Sequence, residues 1–472
     1  MKFNDLTISQ AIKALKEKQF SSSELLRACL DRIRDVEPKL NAFITISEKE
    51  ALEQAKDADF LMKDTDSSEW PSLLGIPIAL KDLFSTRGIK TTAASKVLEN
   101  YLPVYDATTV ERLKEAGAVI IGKTNCDAWA HGSSGENSDF GITHNPFDLE
   151  KVPGGSSSGS AVAVAANECL AAMGTDTGGS IRQPAAFCNL VGLKPTYGRV
   201  SRYGVIAMAS SLDSIGHLTK DVLDSALMLQ VTAGYDPRDA TTSNVPVPEY
   251  QDELGKGIEG MKIGIPQEYF IKGLDPEIRE QTDKAVKRLV KLGAQVDNVS
   301  LPHTEESVAV YYIIVPSEIS SNLARYDGFR YGHGREQFGD EAKRRIILGT
   351  YTLSAGYYDA YYLKAMKVRT LIKNDFEEAF KKFDALITPV FPSLPFNLGE
   401  KVNDPLSMYL SDIFTIPANL AGIPGLSFPI GWLNNLPVGM QVLGPQFSEK
   451  TLLRIAFAFE QEAKVGKGEI KL

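Results

Sequence analysis

The apolar positions of this chain follow two rhythms. Over residues 1–65 they recur every three or four positions, the period of helices with one buried face. Thr7 with Gln10 three positions on has the form of a capping box, in which two side chains satisfy the free N–H groups at a helix start. Ser21-Ser22-Ser23-Glu24 leads into LLRACLDRIRDV, where Leu25, Ala28, Cys29 and Ile33 form one stripe. Pro38 is the expected stop of that helix. A further helix is expected from Ser47 to Lys63, and residues 64–71 are polar and turn-rich.

From Gly75 onward short apolar runs alternate with helical patterns. GIPIALKD is a short buried-strand pattern ending in Lys81-Asp82. Residues 107–125 read as helix, glycine turn and strand, and residues 261–301 as strand, helix and strand. Residues 383–390 are a strand pattern after a long helix from Tyr357 to Lys382. Two more strands are expected near 425–429 and 437–443, and a closing helix from Lys450 to Lys464. This alternation predicts an α/β fold with parallel crossover units. Residues 66–472 are expected to form one α/β core behind a helical segment, 1–65. Residues 233–260, rich in Pro, Asp, Thr and Gly without periodicity, are expected to be the least ordered connection.

Composition narrows the class. The chain has 472 residues, 51 Lys and Arg against 60 Asp and Glu, and a net charge of −9. That length buries a large core without disulfide or metal staples. The acidic balance argues against a large nucleic-acid footprint on this chain alone, although a partner can hold nucleic acid. No apolar run reaches the roughly 18–20 residues of a membrane span, and the first residues carry no signal-peptide pattern. The four cysteines, Cys29, Cys126, Cys169 and Cys188, form no C-x-x-C pair and read as buried thiols of a reducing compartment. No His/Cys spacing suits a metal.

One stretch stands apart: PGGSSSGSAVAVAANECLAAMGTDTGGSIR, residues 153–182. Two Gly/Ser clusters flank an Ala-rich, helix-like run. A phosphate loop would need a G-x-x-x-x-G-K-[ST] motif, which is absent. A flexible linker fits poorly with the apolar, helix-forming flanks. A serine nucleophile beside a glycine-lined oxyanion hole is the third reading. A serine hydroxyl needs a base. His131 with Asp176 is one imaginable set, but no G-x-S-x-G elbow surrounds Ser180. Lys81 is the other, provided burial keeps it partly neutral. Asp82 would oppose that, unless strand alternation turns the two side chains to opposite faces. Cys188 lies in an apolar stretch where a thiol tends to be inert.

PGGSSSGSAVAVAA followed by GTDTGGSIRQPAAFCNLVGLKPTYGRVS closely resembles the amidase-signature family. The one visible departure from its glycine/serine motif is Ser158 in place of a glycine. The resemblance implies a large mixed sheet covered by helices on both faces. It implies a Ser–Ser–Lys set with Ser180 as nucleophile, Ser156 as bridging serine after a cis peptide, and Lys81 as base. Backbone N–H groups of Thr177, Gly178, Gly179 and Ser180 would then hold the oxyanion. Residues 201–216, 317–332, 343–362 and 404–431 further resemble one branch, the ammonia-releasing A subunits of tRNA-dependent amidotransferases. That likeness places glutamine's α-carboxylate on Arg345, with Arg344 as the near alternative, its α-ammonium on Asp412, and Tyr311 on the same pocket. It implies no cofactor or metal in this chain. A B subunit would use ATP and Mg on mischarged tRNA, and a C subunit would clamp the other two together. The complex would be cytoplasmic, without membrane contact. The alternatives are a freestanding amidase of small or acyl amides and a non-catalytic binding subunit.

Overall fold

Eleven strands form one sheet. They are β1 (Phe43–Ile46), β2 (Pro77–Lys81), β3 (Val119–Thr124), β4 (Ala171–Asp176), β5 (Val191–Lys194), β6 (Ser214–Thr219), β7 (Lys262–Pro266), β8 (Gln295–Val299), β9 (Ala385–Pro389), β10 (Gly425–Leu433) and β11 (Leu436–Leu443). Their order across the sheet is β1-β3-β2-β4-β6-β5-β10-β11-β9-β7-β8. The pairs β2–β3, β2–β4, β7–β8 and β7–β9 are parallel and the others antiparallel. The computed structural model describes residues 2–271, 273–329 and 333–471. Residues 330–332, at the end of one resemblance-bearing stretch, lie outside the described residues.

Every residue of β2, β3, β4, β5, β6, β9 and β11 is buried. Strand side chains alternate between faces, so the middle of the sheet is covered on both sides, as the apolar runs predicted. The edge strands β1 and β8 are partly exposed, and β8 carries Gln295, Asp297 and Asn298 outward, polar positions that discourage further pairing.

The expected Thr7–Gln10 capping box forms, and the Ser21 start proves to be a second one. Gln10 N donates to Thr7 Oγ1 and Thr7 N to Gln10 Oε1, starting a helix at Ile8–Lys16. Ser21 and Glu24 do the same for Ser22–Leu40. Pro38 does not stop that helix, which continues to Leu40 and ends at Asn41 with φ 51°. Proline removes one N–H only a few residues before the end, and the Glu37 carboxylate accepts Ala42 N at 2.9 Å and Phe43 N at 2.6 Å, fixing the exit. Residues 1–65 are accordingly not all helix: FITI becomes β1, antiparallel to β3.

The two strands expected after residue 424 are one hairpin. Its turn residues Asn434 and Asn435 have φ of 51° and 62°, the double positive φ of a tight hairpin turn. The Ala-rich run is two elements, a helix over Ser158–Ala165 and then β4, with Asn167 and Glu168 between them. The expected long helix begins as a π turn over Asp359–Leu363 and continues as α-helix over Lys364–Phe380. Residues 233–260 hold no helix or strand, yet they are tied down. Asp236 accepts from Ser201 Oγ at 2.7 Å and from Thr108, and Tyr250 is fully buried.

Candidate active site

Parallel strands β2 and β4 are neighbours and finish at the same edge of the sheet, β2 with Lys81 and β4 with Asp176. Clefts at the carboxyl ends of parallel strands are the usual ligand sites of such sheets. Lys81 Nζ lies 2.8 Å from Ser156 Oγ, 3.0 Å from Ser157 Oγ and 2.8 Å from Thr175 Oγ1. Burial pulls the lysine down to about 8, against the smaller pull of surrounding groups including Asp127 and Asp176. Asp82 does not oppose this. It points to the other face of β2, where its carboxylate accepts Thr92 N at 2.8 Å and pairs with Lys123 Nζ at 3.2 Å.

The Gly155–Ser156 peptide is cis. Gly155 lies against Asp127 so closely that a Cβ would enter the carboxylate. Asp127 in turn accepts Gly135 N at 3.1 Å and Asn137 N at 3.0 Å, which fixes the floor beneath the serines.

Ser180 stands on the loop after β4 and is 8% exposed, whereas Lys81 and Ser156 are fully enclosed. The loop is held by Asp176. One of its oxygens accepts Gly179 N at 2.8 Å, and the other accepts Ile181 N at 3.2 Å and Arg182 Nε at 3.0 Å. Burial alone would raise the Asp176 carboxyl, but the Arg182 guanidinium holds it well below the usual carboxylate range. Gly179 N–H, one of the expected oxyanion donors, is therefore already engaged. Thr177 turns its hydroxyl to Asp213 at 2.7 Å and does not line the cleft. Gly178 and Ser180 do line it. Neither of their amides donates to another group among the described residues.

Two helices and a turn supply the opposite wall. Helix Ser307–Leu323 contributes Tyr311 and Tyr312, helix Asp340–Thr352 contributes Arg345, and Asp412 follows the short helix Pro405–Leu410. Arg345 Nε donates to Glu341 Oε1 at 2.8 Å, and its guanidinium carbon lies 5.6 Å from the ring centres of both Tyr312 and Tyr409. Those rings stack at 3.9 Å, and Tyr409 Oη also donates to Glu341, at 2.8 Å. Asp412 accepts from Tyr312 Oη at 3.2 Å, and burial pushes its carboxyl up to about 7. Arg345 is 4% exposed and lines the cleft; Arg344 is exposed and pairs with Glu341 from outside.

The structure thus gathers Lys81 and Ser156 in one hydrogen-bonded group, and places Ser180, Tyr311, Arg345 and Asp412 around one cleft. It does not assemble the rival histidine set. His131 is fully buried with neither ring nitrogen hydrogen-bonded among the described residues, and burial, aided by Arg345, keeps it neutral. Asp176 is committed to Arg182. Burial pushes the Cys188 thiol far up. Sequence reasoning missed Ser157, Thr175, Tyr312, Tyr409 and Asp127. Ser157 and Tyr312 adjoin recognised residues; Asp127 carries no local signal.

The sequence profile of the family described as Amidase matches residues 24–453. The chain belongs to the amidase family. Among relatives of this amidase, the A subunit of the glutamyl-tRNA(Gln) amidotransferase of Geobacter metallireducens is 56% identical over 98% of each chain. The crystal structure of the protein of that name from Thermotoga maritima superposes with a TM-score of 0.86 at 45% identity, covering 100% of this chain and 99% of that one. The peptide amidase of Stenotrophomonas maltophilia gives 0.86 at 30% identity over 99% of both. No helix among the described residues is long and apolar enough to cross a membrane.

Proposed function

We propose that this amidase hydrolyses glutamine with Ser180, Ser156 and Lys81, and supplies the ammonia to a tRNA-dependent amidotransferase. The observation that carries the glutamine reading is the pair Arg345 and Asp412, opposite charges on the cleft that Ser180 enters. A glutamine side-chain amide directed at Ser180 leaves an α-carboxylate and an α-ammonium at its other end. Arg345 offers the first a forked donor, and Asp412 offers the second an anion, with Tyr311 lining the space between.

Neutral Lys81 takes the Ser156 proton as Ser156 takes that of Ser180. Ser180 Oγ bonds the carboxamide carbon, and the carbonyl becomes an oxyanion held by the Gly178 and Ser180 amides. One such donor is worth about 3–4 kcal/mol in the barrier. The proton returns through Ser156 to the leaving nitrogen, the C–N bond breaks, and ammonia departs. Water, deprotonated by the same relay, then cleaves the glutamyl ester to glutamate and free Ser180. The likeness to such A subunits supports delivery of the ammonia to a B subunit that uses ATP and Mg on mischarged tRNA, with a small C subunit joining the two, in the cytoplasm. The test is ammonia release by the chain co-expressed with those subunits, glutamine compared with short acyl amides. Glutamine is expected to be strongly preferred; preference for acyl amides makes this a freestanding amidase instead.

A further inference from the structure

Thr415 belongs to none of the groups assigned so far, yet it touches the nucleophile loop from the turn that carries Asp412. Its Oγ1 lies 2.5 Å from the Gly178 carbonyl oxygen and 3.1 Å from the Asp412 carbonyl oxygen. Its own carbonyl accepts Arg182 Nη2 at 2.9 Å, and the residue is 1% exposed. The Gly178–Gly179 peptide is therefore gripped on both sides: its C=O by Thr415, its N–H by Asp176 Oδ1 at 2.8 Å. Gly179 has φ +131°, a conformation reserved for glycine, and a Cβ there would run into Thr415. A peptide plane held at both ends fixes the dihedrals on either side of it, and those dihedrals aim the Gly178 and Ser180 amides.

We infer that Thr415 is a positioning residue for the oxyanion site, and that its hydroxyl joins the ammonium-anchoring turn to the nucleophile loop. This rests on the proposed chemistry of Ser180. Without the hydroxyl, the Gly178 carbonyl loses its buried donor and the peptide plane is held from the Asp176 side only. Misaimed donors weaken binding of the oxyanion but not of ground-state glutamine.

The experiment is steady-state glutaminase kinetics of the chain assembled with its partner subunits, as wild type, Thr415→Val, Thr415→Ser and Ser180→Ala. Thr415→Val, nearly equal in volume, is expected to lower kcat about tenfold to a hundredfold, leaving KM for glutamine and the lysine limb near pH 8 in place. Thr415→Ser, which restores the hydroxyl without the methyl, is expected to recover most of kcat. Wild-type kcat in Thr415→Val, a change in KM alone, or equal losses in the Val and Ser variants would each overturn the inference. If Thr415→Val does not fold, Thr415→Cys, a weak donor of similar size, replaces it and must fall well below Thr415→Ser. Ser180→Ala separates the two readings. If it is inactive while Thr415→Val keeps full kcat, only the role of Thr415 falls; if it is active, the proposed chemistry falls too.

Discussion

Lys81 shows how one residue's role is set by what surrounds it. Its pKa is drawn down to about 8 because burial penalises the ammonium more than nearby carboxylates reward it. A base must be neutral, so kcat is expected to rise with pH up to about 8 and level off above it. At pH 7 about a tenth of the lysine is in the working form. Lys81→Ala should abolish glutaminase activity, and His131→Ala should leave that pH limb where it was; a limb that moves with the histidine would reassign the base. Ser180→Ala should lose activity without losing the fold, checked by ammonia release beside circular dichroism. Strand alternation suggested that Lys81 and Asp82 part ways, and they do, but Asp82 lies just past the end of β2 and is turned away by its bonds to Thr92 and Lys123. The commitment of Gly179 N–H to Asp176 was not legible: it depends on the path of a loop whose glycines permit many paths. Nor could the sequence separate Arg345 from Arg344, because one residue along a helix is a rotation of about 100°, and only tertiary packing says which angle faces the cleft.

Elements rather than single residues make the specificity wall. Helix Asp340–Thr352 offers Arg345, helix Ser307–Leu323 offers Tyr312, and the turn after Leu410 offers Asp412. Tyr312 joins them by stacking near Arg345 while donating to Asp412. Arg345→Ala leaves glutamine's α-carboxylate unpaired in the buried cleft, a loss of about 3–5 kcal/mol, or roughly 100-fold or more in kcat/KM for glutamine. Arg345→Lys keeps the charge without the fork and should fall between Ala and wild type. Asp412 gives a pH signature of its own. Burial lifts its carboxyl to about 7 in the free enzyme, so it must lose a proton to receive the α-ammonium. Below pH 7, kcat/KM then depends on two deprotonations, Asp412 and Lys81, and kcat on the lysine alone. A log–log slope of about two for kcat/KM against about one for kcat is expected. Asp412→Asn should reduce the first slope to about one and raise KM. Neither helix of this wall, Ser307–Leu323 nor Asp340–Thr352, is among the elements that the sequence pattern predicts, whereas the buried strand β2 that ends in Lys81 is. The sequence misleads where elements change character: Pro38, the expected stop, lies inside a helix that ends at Leu40, and an Ala-rich run packs as helix and then strand.

The whole molecule joins an acidic body to a buried source of ammonia. A net charge of −9 disfavours a large polyanion footprint on this chain, which agrees with the proposed reading that a partner holds the tRNA and this chain supplies ammonia. That division can be tested with a substrate that bypasses the cleft. Ammonium salts need no carboxylate fork, no ammonium anchor and no nucleophile; they need only the site where ammonia is consumed. In the assembled complex, Ser180→Ala, Arg345→Ala and Asp412→Ala are each expected to lose glutamine-dependent amidation of aminoacyl-tRNA and to retain amidation driven by added ammonium. The measurement is amidated product formed with each nitrogen donor at saturating tRNA and ATP. Loss of both activities in Arg345→Ala or Asp412→Ala would assign those residues to assembly or stability, since Arg345 braces two stacked tyrosines and Glu341 and its removal could loosen the wall itself. Ser180 supports no such packing, so Ser180→Ala is the cleanest of the three. Retained ammonium-driven amidation in that variant would show that the synthetic site works without the nucleophile, as a division between ammonia release and ammonia use requires.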